Sequence, residues 1–498
     1  MQAIWEFFPV GLHEIPIYMS EKSQESYKNI LKATSIFGGV QVYQIIIQII
    51  KSKIIAVLLG PMGVGVLGLY QSAIDLFKNL TSMGLAQSAV RDVSEAKGSN
   101  DIKRIERTTT VVRKLVWFTG LFGTIVVCLL SPVLSKLTFG KYTYTIPFVC
   151  LSVILLLEQL VAGQKVILQG LRKLKDLALV IAIGSTLGLI CSIPLYYIYG
   201  IQGIVPTLIL NSVAALLASW WISKKVKIST VRLTVKELFA DGRQMLVMGV
   251  AMSANGILST AAAYVIRGYL RGRGGEELVG LFQAGFIIIN TYVGLVFNAI
   301  ATDYYPRLAA VNTDNEKCKS IICQQGEIAS FLLAPMLGIC LLFMPLMLRI
   351  LYSDKFLPAN EFIMWCCLGM MFRMAAWLLS YLLIAKAESK LFMYNELFSN
   401  IYYVVFSYIG YELFGLKGLG IAFVATYIVY FIQEYLIAYI RYGFRFSSSF
   451  IKNYTVLLGM VLLMLITVLN ISGIMAYIIG GLMLLLTCYI SKVSHPLL

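Results

Sequence analysis

The sequence predicts an all-α, polytopic membrane protein with about fourteen transmembrane helices. First, 59% of its 498 residues are hydrophobic and only 13% are charged, about half the charged fraction of a soluble domain. Second, apolar runs of roughly twenty residues recur along the whole chain, and each is long enough to cross ~30 Å of hydrocarbon as a helix. A transmembrane barrel would instead need short segments of alternating polarity, and stretches such as 461–469 have none.

Hydropathy and loop signals together place the predicted helices along the chain. Their approximate spans are 30–59, 64–88, 115–135, 145–168, 177–199, 203–222, 244–270, 278–302, 322–352, 360–385, 391–412, 418–440, 453–470 and 474–490. The connections alternate between basic stretches, such as 91–114, and short, nearly neutral ones, such as 199–203. By the positive-inside rule, the basic connections and both termini face the cytoplasm, with residues 1–29 as a cytoplasmic tail.

Segments in the two halves of the chain match at a nearly constant offset, which indicates an internal repeat. The matching pairs are 68–71 with 280–283, 168–172 with 383–387, and 199–204 with 414–419. Each copy holds six helices, an even number, so both copies insert with the same orientation and leave a substrate site between them. The predicted units are an N-lobe at 30–235, a C-lobe at 236–445 and a C-terminal helix pair at 446–498.

Several charged side chains fall inside predicted helices, where each costs at least ~3 kcal/mol unless it has a partner or a wet cavity. These residues are Asp75, Lys78, Glu158, Arg373, Glu396 and Glu434. In addition, Lys53 and Arg267 occupy similar positions late in the first helix of each lobe. Basic groups that face a central cleft would attract an anion such as a pyrophosphate, and a low dielectric would strengthen the attraction.

Other interpretations of these charges stay open on the sequence alone. Lys51 lies near a helix end and can snorkel to the interface, whereas Arg373 is too deep to do so cheaply. Asp75 and Lys78 lie three residues apart on one helix face and can neutralise each other. The candidates for ion pairs or for ion coupling are Asp75, Lys78, Glu158 and Glu396.

The segment Gly60-Pro-Met-Gly-Val-Gly65 follows the first predicted helix. Proline removes a backbone donor and glycine permits unusual dihedral angles, so the segment is typical of a tight connecting turn. A hinge at Gly60 and Pro61, about which two lobes could rock, is the alternative interpretation.

Composition also excludes several classes of function. Nine scattered cysteines and two histidines, one near each end, form no cluster of metal ligands, so neither a metal site nor a cofactor is predicted. The net charge of +16 lies mostly in short loops and not in a basic arm or domain. We therefore expect no nucleic-acid partner.

The same residues carry a resemblance to a known family. The chain resembles the Wzx-type O-antigen flippases of the multidrug/oligosaccharidyl-lipid/polysaccharide (MOP) exporter superfamily, and in particular the branch that includes the enterobacterial common antigen flippases. The resemblance covers about residues 30–445. It is carried by Lys53-Ile-Ile-Ala, Gly60-Pro-Met-Gly-Val-Gly65, Tyr381-Leu-Leu-Ile-Ala-Lys-Ala387 and Ala425-Thr-Tyr-Ile-Val-Tyr-Phe431.

The resemblance implies two six-helix lobes around a cationic cavity that alternates between inward-open and outward-open states. It implies undecaprenyl-pyrophosphate-linked oligosaccharide as the substrate, the bacterial inner membrane as the location, and a glycan polymerase and a chain-length regulator as partners. It also implies substrate-binding basic residues at Lys53, Arg91 and Arg373, with Arg267 matched only after a one-residue gap. Many relatives end after twelve helices, and the last two helices here resemble those of the fourteen-helix lipid II flippases.

Two other functions compete with a flippase. A drug/cation antiporter of the same architecture would need an acidic cavity, and acidic residues deep in the predicted helices are few. A membrane glycan polymerase would need a sizeable extracytoplasmic loop with catalytic groups, and every predicted outward loop is short. The sequence therefore favours a transporter that is not an enzyme.

Overall fold

The computed structural model describes residues 21–99, 101–226, 228–471 and 473–494, most of which are helical. The helices are α1 (Glu21–Thr81), α2 (Leu85–Gly98), α3 (Ile102–Phe139), α4 (Thr145–Gly170), α5 (Leu174–Tyr199), α6 (Ile204–Ser223), α7 (Val235–Ile287), α8 (Leu295–Ala310), α9 (Asn315–Leu351), α10 (Asn360–Ala385), α11 (Ser389–Tyr442), α12 (Ser448–Asn470) and α13 (Ile474–Ser494). No strand occurs within these ranges, and the predicted all-α membrane fold is confirmed. The predicted tail at 1–29 lies largely outside the described residues.

The helices are long enough to cross a membrane, and some of them could cross it twice. Eight helical stretches of the described chain have the length and hydropathy of a membrane span, and the bent pair at 235–250 and 253–291 would be a ninth. The 54 residues of α11 would measure about 80 Å as one straight helix, more than twice the thickness of the hydrocarbon core. The longest stretches therefore hold more than one predicted helix, and the count of fourteen stays a prediction.

Three glycines break these long helices. Gly60 in α1, Gly275 in α7 and Gly415 in α11 have φ of 67°, 69° and 62°, a left-handed conformation that glycine adopts without the penalty paid by other residues. Each break falls in a gap between two predicted helices. Pro61 directly follows the first break, at a position where a helix tolerates proline because the N–H has no intrahelical partner.

The connection between the first two long helices differs from the prediction. The helix predicted at 64–88 ends earlier, at Thr81, because Met83 and Gly84 turn the chain with positive φ. The short amphipathic helix α2 then follows. The prediction had assigned its residues to the end of the helix at 64–88 and to the basic connection after it. Helix α3 also begins early, at Ile102, where the Asp101 carboxylate accepts the backbone N–H of residue 103 at 2.9 Å.

The helices pack in two groups, which we call the N-half (α1–α6) and the C-half (α7–α11). Within the N-half, α3 packs on α4 and α5 on α6; within the C-half, α10 packs on α9 and α11. Helices α12 and α13 both pack on α9. The two halves meet chiefly where α1 contacts α7, and the space beside that contact contains the site described below.

Two pairs of glycines bring the halves into backbone contact. A Cβ on Gly65 or Gly280 would overlap the carbonyl oxygen of Glu276 or Pro61, respectively. A Cβ on Gly84 would likewise overlap the carbonyl oxygen of Gly249. The first pair, which we call the outer seam, lies beside the breaks in α1 and α7. The second lies just after the C-terminal end of α1, near the basic connections.

Candidate functional site

The central cavity lies between the two halves and has a volume of about 650 Å³. Helix α1 lines it with Gln41, Gln44, Gln48 and Lys51, whose spacing of three, four and three residues puts them on one helix face. Helices α4, α5 and α6 add Lys165, Ser185 and Asn211, and the C-half adds Asn290 and Thr291. The cavity is therefore polar although it is surrounded by apolar helices.

Two lysines make the central cavity cationic. Lys51 and Lys165 line both this cavity and an adjoining one of about 360 Å³. In the described part of the chain, neither ammonium group has a carboxylate within ion-pair distance. The adjoining cavity also contains Lys78 and Glu158, whose Nζ and Oε2 atoms are 2.5 Å apart. That pair is neutral as a unit, so Lys51 and Lys165 leave an excess of positive charge.

Asn290 connects the central cavity to a cavity of the C-half. It lies in the π-helical segment Ile288–Val293, an irregularity that occurs frequently at functional sites. Its Oδ1 accepts a hydrogen bond of 2.7 Å from Nη1 of Arg373. The Arg373 guanidinium also lies over the rings of Phe297 and Tyr427, at 5.7 and 5.5 Å from their centroids, so aromatic faces stabilise its charge.

The C-half cavity, of about 460 Å³, combines Arg373 with acidic and aromatic groups. Glu396 lines it and accepts a hydrogen bond of 2.7 Å from the Tyr430 hydroxyl. Behind it, Glu434 is 1% exposed and accepts a bond of 3.1 Å from Asn395. Both carboxyl groups therefore have polar partners within α11, on the two sides of its break at Gly415.

The predicted basic residues do not share one cavity. Lys53 points away from the central cavity, and its ammonium donates to the backbone carbonyls of Arg349 and Tyr352 at 2.7 and 2.6 Å, at the end of α9. Arg91 lines a separate cavity of about 280 Å³ beside α3 and α7. Of the four, only Arg373 contacts a residue that lines the central cavity.

Arg267 is 5% exposed and is buried between the two segments of α7 that precede and follow the break at Gly275. Its Nε and Nη2 donate to Oε1 of Gln283 at 2.9 and 2.7 Å, and its Nη1 donates to the carbonyl of Ala263 at 3.0 Å. Phe282 and Phe286 lie against the guanidinium. In this conformation neutral groups therefore surround the charge.

The other predicted residues lie around the same helices. Lys78 pairs with Glu158 across two helices and not with Asp75 on its own helix. Asp75 is exposed, one turn before Lys78. Gly60 and Pro61 form the break in α1. Within the described residues, no group of three or more histidine, cysteine, aspartate or glutamate side chains could hold a metal ion.

Sequence reasoning missed Lys165 and explained Lys51 as a snorkelling residue. The polar face of α1 was visible in the sequence, because Gln41, Gln44, Gln48 and Lys51 follow the helical period. Nothing in the local pattern marks Lys165, which lies five residues before the end of α4.

Comparisons with known proteins agree with this architecture. The chain is 21% identical over 396 residues to the lipid III flippases of Escherichia coli K12 and Shigella flexneri, covering 77% of this chain and 92% of theirs. Its fold is similar to that of an inward-facing MATE family transporter of the MOP superfamily (TM-score 0.68, 16% identity, 81% of this chain and 94% of the other). It is equally similar to the lipid II flippase MurJ in an inward closed conformation (TM-score 0.68, 14% identity, 94% of this chain and 99% of the other).

These similarities confirm the predicted MOP-superfamily fold, whereas the finer Wzx-type assignment stays a prediction. The model of the polysaccharide biosynthesis protein family matches residues 30–312, more than half of the chain. The matched range contains all of the N-half except the first residues of α1, together with the α1–α7 contact and both lysines of the central cavity. The protein therefore belongs to the polysaccharide biosynthesis protein family.

Proposed function

We propose that this protein is a flippase that carries a lipid-linked oligosaccharide across the bacterial inner membrane, from the cytoplasmic to the periplasmic leaflet. The observation that carries the proposal is the pair of lysines, Lys51 and Lys165, in the polar cavity between the two halves. Both lysines are half-buried. A cation at such a position without a protein counter-ion is costly, and an anionic substrate that enters the cavity would offset that cost.

The chemistry of the cavity suits a pyrophosphate bearing a glycan. Lysine ammonium groups bind phosphate as point charges, and the surrounding amides and hydroxyls can hydrogen-bond sugar hydroxyls. The volume of about 650 Å³ lies in the usual range for small-molecule sites. A longer glycan would need the halves to separate, while the lipid tail stays in the bilayer. We propose an undecaprenyl-pyrophosphate-linked O-antigen repeat unit as this substrate.

Alternating access gives the remaining predicted residues their proposed roles. Arg373 would enter the central cavity through its contact with Asn290 and add a third positive charge. Arg91 would meet the substrate at the end of the molecule that carries the basic connections. Lys53, which is engaged by backbone carbonyls, would hold the end of α9 against α1 in this conformation. Gly60 and Pro61 would form the hinge.

Ion coupling, in this proposal, involves the carboxylates that face the cavities. Glu158 and Lys78 form a pair that a change of protonation would break. Glu396 and Arg373 both line the C-half cavity. Asp75 lies one turn from Lys78. Transport would follow from a change in the charge of these groups between the two conformations.

The test is complementation of a strain that lacks its flippase, scored by surface glycan and by accumulation of the lipid-linked precursor. The double variant Lys51→Gln/Lys165→Gln should lower surface glycan by about tenfold or more per lysine, since each charge-assisted bond contributes about 1.5–3 kcal/mol. The matched control is Lys141→Gln/Lys452→Gln, which removes two exposed lysines outside the cavities and should complement fully. Equal complementation by both double variants at equal membrane abundance would refute the proposal.

A second candidate function is cation-coupled antiport of a small organic cation. Tyr427, Tyr430 and Glu396 in the C-half cavity would suit such a ligand, because aromatic faces and a carboxylate stabilise positive charge. Arg373 in the same cavity opposes it. Vesicles that take up a cationic dye in response to a proton or sodium gradient, and that lose this uptake in Glu396→Gln, would favour antiport over flipping.

A further inference from the structure

A pocket of about 350 Å³ lies on the perimeter of the N-half, away from the central cavity. Helix α4 contributes to both sites with different faces: Val161 and Lys165 line the inner cavities, whereas Leu160, Gly163 and Gln164 line the outer pocket. Helices α3 and α6 supply its other walls. The pocket therefore opens toward the surroundings of the N-half and has no part in the proposed transport path.

The floor of the outer pocket depends on a close helix crossing. A Cβ on Gly163 would lie 2.8 Å from Cγ2 of Val116, so the absence of a side chain lets α4 approach α3. Two buried polar atoms beside this floor, Oε1 of Gln164 and Oγ of Ser223, have no hydrogen-bond partner among the described residues. Buried polar groups of this kind are usually satisfied. Both side chains line the pocket, and a turn of either one would bring its unpaired oxygen to a bound polar group.

The rim of the outer pocket is cationic. Arg113 and Lys224 line it from α3 and from the end of α6, and no carboxylate in the described chain pairs with either one. Neighbouring cations at the same end have protein partners: Arg107 binds Asp241 at 2.6 Å, and Lys114 donates to a backbone carbonyl at 2.8 Å. Arg113 and Lys224 therefore remain available to an external anion.

Tryptophans mark the surroundings of the pocket as the membrane interface. Trp117 and Trp220 line the pocket and are 55% and 53% exposed, and Trp221 beside them is 61% exposed. These are three of the six tryptophans in the chain. Tryptophan concentrates at the level of the lipid headgroups. The ammonium of Lys224 lies 3.5 Å from the centre of the Trp220 ring, which holds this cation at the same level.

We propose that the outer pocket binds the headgroup of an anionic phospholipid. Arg113 and Lys224 would contact the phosphodiester, Ser223 and Gln164 would hydrogen-bond it, and the acyl chains would lie along the exposed tryptophans. Basic pockets between transmembrane helices bind anionic headgroups in this way. The proposal is independent of the transported substrate, because α4 separates the two sites.

The experiment is native mass spectrometry of the full-length protein, purified in detergent and offered phosphatidylglycerol or phosphatidylethanolamine with the same acyl chains. The wild-type protein should retain phosphatidylglycerol in preference. The variant Arg113→Gln/Lys224→Gln should lose that preference, with retention falling by about fivefold per cation removed. The single variant Lys224→Gln, at an exposed position, gives the same test if the double variant does not fold.

The control is Arg232→Gln/Lys236→Gln, which removes one exposed arginine and one exposed lysine from the same end of the molecule but not from the pocket. It should retain phosphatidylglycerol like the wild type. Equal retention of both lipids by the wild type, or undiminished retention by the Arg113/Lys224 variant, would overturn the proposal. Competition by inorganic phosphate at concentrations equal to the lipid would also overturn it, because the pocket would then be a site for soluble anions.

Discussion

The outer seam gives a quantitative prediction about how closely the halves must approach. A methyl group added by Gly280→Ala would lie 2.7 Å from the carbonyl carbon of Pro61 and 3.0 Å from the backbone N of Gly65. Ordinary carbon–carbon contacts are about 3.5–4.0 Å, so the two helices would have to separate by roughly 1 Å. The obstructing atoms are backbone, and no rotation of a side chain can relieve the overlap.

Gly280→Ala should therefore lower the free energy of unfolding by about 1–3 kcal/mol, the usual cost of overpacking a close contact. Gly272→Ala is the matched control: it also lies in α7, and a Cβ there would meet nothing within 4 Å. Alanine in place of glycine stabilises an exposed helix by up to about 1 kcal/mol. The two variants should therefore shift stability in opposite directions.

Thermal unfolding followed with a thiol-reactive fluorescent dye measures both variants. The exposed Cys128, Cys150 and Cys488 react before heating, whereas Cys366 and Cys367 are buried in α10 and react in a second phase, when the C-half opens. The midpoint for Gly280→Ala should fall below that of the wild type, and the midpoint for Gly272→Ala should not. If both variants unfolded at the same temperature, the halves would not be in backbone contact at Gly65 and Gly280.

Three further predictions concern buried polar groups, each measured by the same thermal unfolding assay. Glu434→Leu should cost about 1–3 kcal/mol because it leaves the Asn395 amide unpaired, whereas Glu434→Gln keeps an acceptor and should cost less than about 1 kcal/mol; equal losses would contradict this. Tyr304→Phe should cost about 0.5–1.5 kcal/mol, since its hydroxyl donates a bond of 2.7 Å to a carbonyl of α10; no loss would mean that this bond is not formed. Gln283→Leu should cost at least about 2 kcal/mol, because it removes the acceptor of two bonds from the buried Arg267; a neutral result would show that water already solvates that guanidinium.

Hydropathy predicted most of the fold because lipid restricts the backbone so strongly. A chain in hydrocarbon must satisfy its peptide groups internally, and runs of apolar residues therefore become helices. The breaks at Gly60, Gly275 and Gly415 were also visible as gaps between apolar runs. Hydropathy missed α2 because that helix lies outside the apolar runs. Its buried residues Leu85, Ala89, Val93 and Ala96 do follow a helical period, which only an amphipathic search would have detected.

The sequence predicted that a cationic cavity lies between the two halves, but not which residues line it. Depth along a helix follows from position in the sequence, so the sequence could identify Arg373 as a charge that needs a partner. The direction of a side chain around the helix depends on which face meets the other half. Asn290, which accepts the hydrogen bond from Arg373, lies in a π-helical segment, and no pattern in the sequence signals that irregularity.

Lys51 and Lys53 illustrate the limit most clearly. Successive residues of an α-helix are rotated by about 100° around its axis, so side chains two residues apart are separated by about 200°. Lys51 and Lys53 must therefore point to nearly opposite sides of α1. One of them can face the central cavity, and the other must then face α9 or lipid. The repeat comparison favoured Lys53 because it falls within two residues of the position that corresponds to Arg267. The polar face of α1 is a stronger criterion for deciding which lysine faces the cavity, since polar side chains on one face indicate which side of a membrane helix meets water. That face carries Gln41, Gln44 and Gln48, and Lys51 lies on it.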